Sequence, residues 1–94
     1  MTPYAPPVSA KLPAPAADVV FRDMNGEAVL VNLGTNRIYS LNATGARFWS
    51  LIVEGATREA AEERLLDEFE VRPEELRSEM SDLLRALRAE GLVE

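Results

Sequence analysis

Apolar and polar positions between residues 19 and 41 follow a pattern that predicts three β-strands. Asn25-Gly26 separates the first two apolar runs and is a strong hairpin signal. Gly34-Thr35-Asn36 separates the second run from the third and supplies residues that tolerate positive φ. The predicted strands are residues 19–24, 27–33 and 37–41. Because both connections are short, the three strands form an antiparallel meander that ends on the third strand.

The pattern then changes to helical spacing and predicts three helices. Asn42 is expected to cap the first helix, which stops at Gly55, and Thr57 is expected to cap the second. The third helix begins at Pro73, carries a leucine-rich stripe and ends at Gly91. Short loops favour steeply packed helices against the small sheet. The fold class is therefore predicted as α+β and winged-helix-like, with a three-stranded antiparallel sheet followed by three helices.

The first predicted helix carries an unusual glycine on its apolar face. Gly45 shares that face with Phe48, Trp49 and Ile52. A glycine inside a helix lowers helix stability, so we expect close backbone approach at this position. We also expect Trp49 to be largely buried against the sheet.

The start of the chain has a different composition. Five of the six prolines lie before residue 18, and proline favours extended backbone while removing a hydrogen-bond donor. We therefore predict a Pro-rich tail over residues 1–17, with room for a short strand around Val8 to Leu12. The folded domain is predicted to cover residues 18–94.

Composition and charge exclude several classes of function. Of the net charge of −6 over 94 residues, residues 54–94 carry −7 and residues 1–53 carry +1. An acidic helical half repels phosphate backbones, which argues against a nucleic-acid partner. No apolar run is long enough to span a bilayer and no signal peptide is recognisable, so we expect a cytoplasmic protein with no membrane partner.

The sequence also holds little that could perform catalysis. Cysteine and histidine are both absent, which removes disulfides, thiolate metal sites and the commonest general base. No glycine-rich phosphate loop, nucleophile elbow or metal-spaced ligand set is present. We therefore predict a non-enzymatic chain with no catalytic residue, no metal and no cofactor.

The order of these segments resembles the PqqD family. The resemblance covers about residues 18–94, and its most specific part is Leu41-Asn42-x-x-Gly45-x-x-x-Trp49 after a tyrosine-bearing strand. The closing Leu83-Leu84-x-x-Leu87-x-x-x-Gly91-Leu92 agrees with the last helix of that family. The resemblance implies a RiPP recognition element, which binds the leader peptide of a ribosomally synthesised and later modified precursor. It also implies a modifying enzyme as a second partner, either a radical SAM enzyme or a leader peptidase.

The resemblance further implies where the leader peptide binds. The peptide adds a strand beside the third strand, which has no proline to interrupt pairing, and lies in a groove against the third helix. The flank of the third helix that faces the groove is left open, and Leu76 and Leu83 could equally belong to the core. The expected peptide-binding residues are Arg37, Ile38, Tyr39, Ser40, Leu41, Leu76, Glu79, Met80 and Leu83.

Two alternative functions stay open at the level of the sequence. An exposed strand edge also suits a structural or homodimerising module, and a winged-helix DNA-binding protein is the less favoured alternative because the third helix is acidic. Arg72 stands where the family often has an acidic N-cap, which weakens the cap of the third helix. Tyr4-Ala5-Pro6-Pro7 is similar to the Tyr-x-x-Pro motif of some lasso-peptide leaders, a pattern that arises easily by chance in a Pro-rich tail.

Overall fold

The computed structural model describes residues 11–24 and 27–94, which form three strands followed by three helices. The predicted α+β order is confirmed, with the second strand one residue shorter than expected. The Asn25-Gly26 turn and the Tyr4-Ala5-Pro6-Pro7 stretch lie outside the described residues. The elements are β1 (Val19–Met24), β2 (Glu27–Asn32), β3 (Arg37–Leu41), α1 (Ala43–Glu54), α2 (Arg58–Glu68) and α3 (Pro73–Ala89).

The strands form one antiparallel sheet in the order β1-β2-β3. Leu30 lies at its centre, opposite Phe21 on one side and Tyr39 on the other, and its side chain is fully buried against the helices. Side chains alternate between the two faces of a strand. Ile38 therefore lies on the outer face, where it is 67% exposed. One face of the sheet covers the core, and β3 occupies an edge.

The turn between β2 and β3 is organised by Asn32, a buried polar residue. Its Oδ1 accepts hydrogen bonds from the N–H groups of Gly34 at 2.9 Å and Thr35 at 3.3 Å. Asn36 closes the turn with φ of 61°, a left-handed conformation that asparagine tolerates better than most residues. The positive φ expected in this turn therefore falls on Asn36.

Helix α1 starts directly after β3 because Asn42 caps it. The Asn42 Oδ1 accepts a hydrogen bond from the Gly45 N–H at 2.7 Å, which satisfies a donor that has no partner inside the helix. A Cβ atom at Gly45 would stand 3.2 Å from that same Oδ1 and 3.4 Å from Leu41 Cδ2. The close approach expected at Gly45 is thus made to the cap and to the end of β3.

The helices bury their apolar stripes in one core beneath the sheet. Thr57 caps α2 by accepting from the Ala60 N–H at 3.1 Å, whereas the Arg72 side chain makes no capping hydrogen bond to α3. Pro73 at the start of α3 needs no donor partner, which lessens the cost of the missing cap. The largest fully buried side chains are Phe48, Leu30, Leu51, Ile52, Leu65, Leu76, Met80, Leu87 and Leu92.

The described part of the predicted tail packs on this core. Leu12 is buried, and its N–H donates to the Ala56 carbonyl at 3.1 Å. Ala16 N–H donates to the Leu92 carbonyl at 3.0 Å, and Glu94 N–H donates to the Ala14 carbonyl at 2.8 Å. Residues 11–16 are therefore attached to the fold, and a domain boundary at residue 18 stays a prediction.

Trp49 provides a test of how the core is held. Its side chain is 5% exposed, so Trp49→Ala should lower the free energy of unfolding by about 3–5 kcal/mol through lost burial and a residual cavity. Val53 on the same helix is 60% exposed, and Val53→Ala should change stability by less than about 0.5 kcal/mol. Urea unfolding measures both. A wild-type midpoint for Trp49→Ala would show that the indole contributes little to the core.

Arg47 connects α1 to the end of α2. Its Nε lies 2.9 Å from Glu68 Oε1, and its Nη1 lies 3.6 Å from Glu54 Oε2. The hydrogen bond from Arg47 holds the pKa of Glu68 below its ordinary value of 4.5. Because the folded-state pKa is lowered, the stability from this pair is fully present above 4.5 and disappears as pH falls through the folded-state value.

We therefore expect Arg47→Met to lower stability slightly at neutral pH and to have a shrinking effect on the acid side of 4.5. Urea midpoints measured across this range for wild type and variant give the comparison. Glu63→Gln is the control, since Glu63 is exposed on α2, the helix that carries Glu68, and has no ion pair among the described residues. A difference that stayed constant with pH would assign the effect to packing of the arginine stem.

Candidate functional site

A groove separates the edge strand from the last helix. No Cα atom of β3 lies within 8 Å of a Cα atom of α3, although both elements pack on the same core. The space between them has a volume of about 500 Å³, in the range of small-ligand and peptide sites. The residues that line it are Tyr39, Ser40, Leu41, Asn42, Thr44, Gly45, Phe48, Leu65, Leu76, Glu79, Met80, Asp82, Leu83 and Ala86.

Most of the residues expected at the site from the sequence surround this groove. Leu76 and Met80 are buried and form its floor, whereas Leu83 and Tyr39 are half-buried and Glu79 is exposed. Seven of the nine expected residues line it, namely Tyr39, Ser40, Leu41, Leu76, Glu79, Met80 and Leu83. The flank of α3 that lines this groove carries Leu76, Glu79, Met80 and Leu83. Leu76 belongs to both the core and the groove floor.

The other two expected residues lie beside the groove. Ile38 projects from the opposite face of the sheet, where its exposed side chain cannot reach α3. Arg37 forms an ion pair with Glu90, just beyond α3, with 3.2 Å between Nη2 and Oε1. Together with hydrogen bonds from Asn32 Nδ2 to the Glu90 and Gly91 carbonyls, each 3.4 Å long, this pair closes the hairpin end of the groove.

Sequence reasoning missed the part of the groove formed by α1 and α2. Thr44 and Gly45 contribute because α1 begins at the end of β3, and Phe48 and Leu65 contribute from below. Only tertiary packing brings these residues to the groove. Asp82, by contrast, was visible in the sequence, since it lies three residues after Glu79 on the same helical face.

The hydrogen-bonding direction of β3 follows from its neighbours. Leu33 N–H donates to the Asp18 carbonyl at 2.8 Å, and the Asn32 carbonyl accepts from Asn36 N–H at 2.7 Å. Successive residues of an antiparallel strand direct their backbone N–H and C=O groups to alternate sides. Since Leu33 faces β1 and Asn32 faces β3, Leu30 also faces β3 and forms a hydrogen-bonded pair with Tyr39. The backbone groups of Tyr39 therefore point to β2. Those of Ile38 and Ser40 point away from the sheet, along the edge beside the groove.

A second cleft of about 550 Å³ lies on α2 and α3, with no lining residue from β3; it is lined by Arg58, Glu59, Glu62, Glu63, Leu66 and Arg77. No group of three or more metal-ligating side chains occurs within residues 11–24 and 27–94. Over the same residues, no helix is long and apolar enough to cross a membrane. The groove differs from the second cleft because it adjoins the open edge of β3.

Comparison with known protein families agrees with this geometry. The family described as Coenzyme PQQ synthesis protein D (PqqD) matches residues 27–93, which is more than half of the chain. The chain belongs to the PqqD family. The match begins with β2 and ends after α3, so it includes the edge strand, the groove and the hairpin that closes it.

One solved structure shows the same PqqD-family fold in complex with a peptide. It is described as TbiB1 in complex with the TbiA(beta) leader peptide. The two chains are 32% identical with a TM-score of 0.79, and the likeness covers 86% of this chain and 94% of the other. No curated protein matches the chain.

Hydrogen exchange tests the direction of the β3 edge. The amides of Ile38 and Ser40 should exchange quickly in the free protein because no described strand pairs with them, whereas those of Tyr39 and Leu41 should be protected by β2. Amide exchange followed by NMR measures each position in the same strand, so Tyr39 and Leu41 serve as internal controls. Slow exchange at Ile38 and Ser40 that persists on dilution would contradict the assignment. Protection that is lost on dilution would indicate pairing between copies of the chain.

Proposed function

We propose that this chain is a non-catalytic RiPP recognition element that binds the leader segment of a ribosomally synthesised precursor peptide. The observation that carries the proposal is the open edge of β3 next to an apolar groove. The likeness to TbiB1, which was solved with a leader peptide, supports it. The peptide pairs with β3 as a fourth strand and places side chains in the groove.

Backbone pairing provides the first part of the recognition. Ile38 and Ser40 each offer an N–H and a C=O along the edge, so a peptide strand can form hydrogen bonds with both residues. A paired strand lies about 4.8 Å from its neighbour. That distance fits the gap between β3 and α3, whose Cα atoms are all more than 8 Å from one another. Such main-chain bonds supply affinity that depends little on the peptide sequence.

Side chains of the peptide provide specificity. Alternate residues of an added strand point to opposite faces of the sheet. One set enters the groove and contacts Tyr39, Leu41 and Leu83, above a floor made by Leu76 and Met80. The other set lies on the outer face beside Ile38. Arg37 and its partner Glu90 limit the groove at the hairpin end, and Glu79 adds a polar rim. The leader segment therefore has apolar side chains at every second position.

The partner that acts on the bound precursor is a separate modifying enzyme, either a radical SAM enzyme or a leader peptidase. The groove is lined by apolar, hydroxyl, amide and carboxylate groups, with no histidine or cysteine anywhere in the chain. The two groove carboxylates, Glu79 and Asp82, are exposed on α3 and do not lie in the desolvated cleft that paired catalytic carboxylates need. We place the encounter in the cytoplasm, because ribosomally made precursors are available there.

The same exposed edge supports a second candidate, a homodimer in which two β3 strands pair. Both functions use the groups of Ile38 and Ser40, so peptide and partner copy would compete. Light scattering with and without peptide separates them, since a dimer at the edge would dissociate as peptide binds. A DNA-binding role is disfavoured because the only charged side chains lining the groove among the described residues are acidic.

The binding mode predicts a difference between the two edges of the sheet. Ser40→Pro removes an outward N–H from β3 and should weaken leader binding by about tenfold or more. Asp23→Pro is the matched control, because the Asp23 N–H points outward from the β1 edge in the same way. Titration calorimetry can start with the TbiA(beta) leader peptide, followed by leaders of other precursors. Circular dichroism checks that each variant remains folded.

Amide chemical shifts locate the bound peptide independently of any substitution. Shifts should concentrate on residues 37–41 and 76–87. Equal loss of binding in both proline variants, or shifts centred on Ala61 to Phe69 with β3 unaffected, would contradict the proposal.

A further inference from the structure

The charged lining of the groove has one sign. Glu79 and Asp82, three residues apart on α3, are the charged side chains among the lining residues, and both are exposed. The opposite wall contributes Ser40, which is neutral, and Tyr39. Among the described residues, no arginine or lysine lines the groove.

Arg77 and Arg85 of α3 form ion pairs, and neither lines the groove. Arg77 Nε lies 2.8 Å from Glu62 Oε1 on α2, so its charge is held on the far flank of the helix. Arg85 lies 3.3 Å from Asp82 through its Nη1, with both side chains more than two-thirds exposed, and Arg85 does not line the groove. An exposed pair of this kind contributes little and exchanges easily for another partner. Glu79 forms no ion pair within the described part of the chain.

Two carboxylates beside an apolar groove favour some bound peptides over others. A peptide with Asp or Glu at this wall would bring like charges together, and the repulsion would oppose binding. A Lys or Arg at the same place would neutralise Glu79, and could replace Arg85 at Asp82, while its aliphatic stem covers Leu83. The wall therefore discriminates between peptides that share the same apolar pattern.

We propose that the α3 wall of the groove selects leader segments that carry a lysine or arginine beside their apolar side chains and rejects segments with an acidic residue there. This inference rests on the proposed function, because it assumes that an extended peptide occupies the groove. The ligand is thereby specified as a cationic, alternately apolar peptide strand. Glu79 and Asp82 determine the specificity.

The test is a selection from a displayed library of short random peptides against the whole chain. Wild type should enrich peptides with alternating apolar residues and with Lys or Arg over Asp or Glu. The double variant Glu79→Gln, Asp82→Asn should keep the apolar pattern and lose the preference for cations. The matched control, Glu63→Gln with Asp67→Asn, removes the same charge from α2 outside the groove and should select as wild type does.

Affinities of the selected peptides make the test quantitative. The groove variant should bind cationic peptides about three- to tenfold more weakly than wild type does, and added salt should reduce that difference. Charge reversal by Glu79→Lys should shift the preference toward acidic peptides, an outcome that general destabilisation cannot produce. Circular dichroism confirms the fold of every variant.

The outcomes separate this inference from the function on which it rests. Peptides that bind and lose affinity with Ser40→Pro, but show no preference for Lys or Arg, would overturn the charge selection and leave peptide recognition intact. A cation preference that survives in the groove variant would also overturn it. A library from which wild type selects no peptide would overturn both proposals.

Discussion

The arrangement around the groove depends on the buried side chain of Asn32. Its Oδ1 organises the turn between β2 and β3, and its Nδ2 donates to the carbonyls that follow α3. One amide group thus fixes the start of the edge strand relative to the end of the last helix. Every polar atom of the side chain has a partner, so burial leaves no donor or acceptor unpaired. These bonds hold β3 and α3 together at one end of the groove. Along the rest of their length the two elements stay apart, and the groove lies between them.

The other end of the strand is controlled by an equally local feature. Asn42 leaves no loop between β3 and α1, because it follows the strand directly and caps the helix. Within residues 11–24 and 27–94, no backbone hydrogen bond is made to the outward groups of Ile38 and Ser40, so this edge of β3 is open. Gly45 allows the cap and Leu41 to approach closely. The open edge and the groove therefore adjoin where β3 passes into α1.

Local signals explain how much of this could be predicted from the sequence. Caps and turns involve residues three or four positions apart, so Asn42, Thr57 and Pro73 marked the helix starts correctly. The contacts of Asn32 with the end of α3 span 58 positions and have no signature in the sequence. Whether the Ser40 backbone groups point outward depends on which residue pairs of the sheet are hydrogen-bonded. The alternation of apolar and polar side chains does not show which pairs these are. Thr44 and Leu65 could not be predicted as groove residues, because their position depends on how the helices pack.

Residues 14–16 pair with residues 92–94, which bears on how the protein can be tagged or shortened. Val93 is buried, and the Glu94 amide is already bonded to Ala14, so the final residues are structural and do not form a free handle. A tag or fused enzyme attached after Glu94 should be joined through a flexible spacer, which avoids pulling this seam apart. Removing Val93 and Glu94 would take away the Glu94–Ala14 hydrogen bond and the bridge between Pro15 and Val93, and would leave residues 14 and 15 less firmly held.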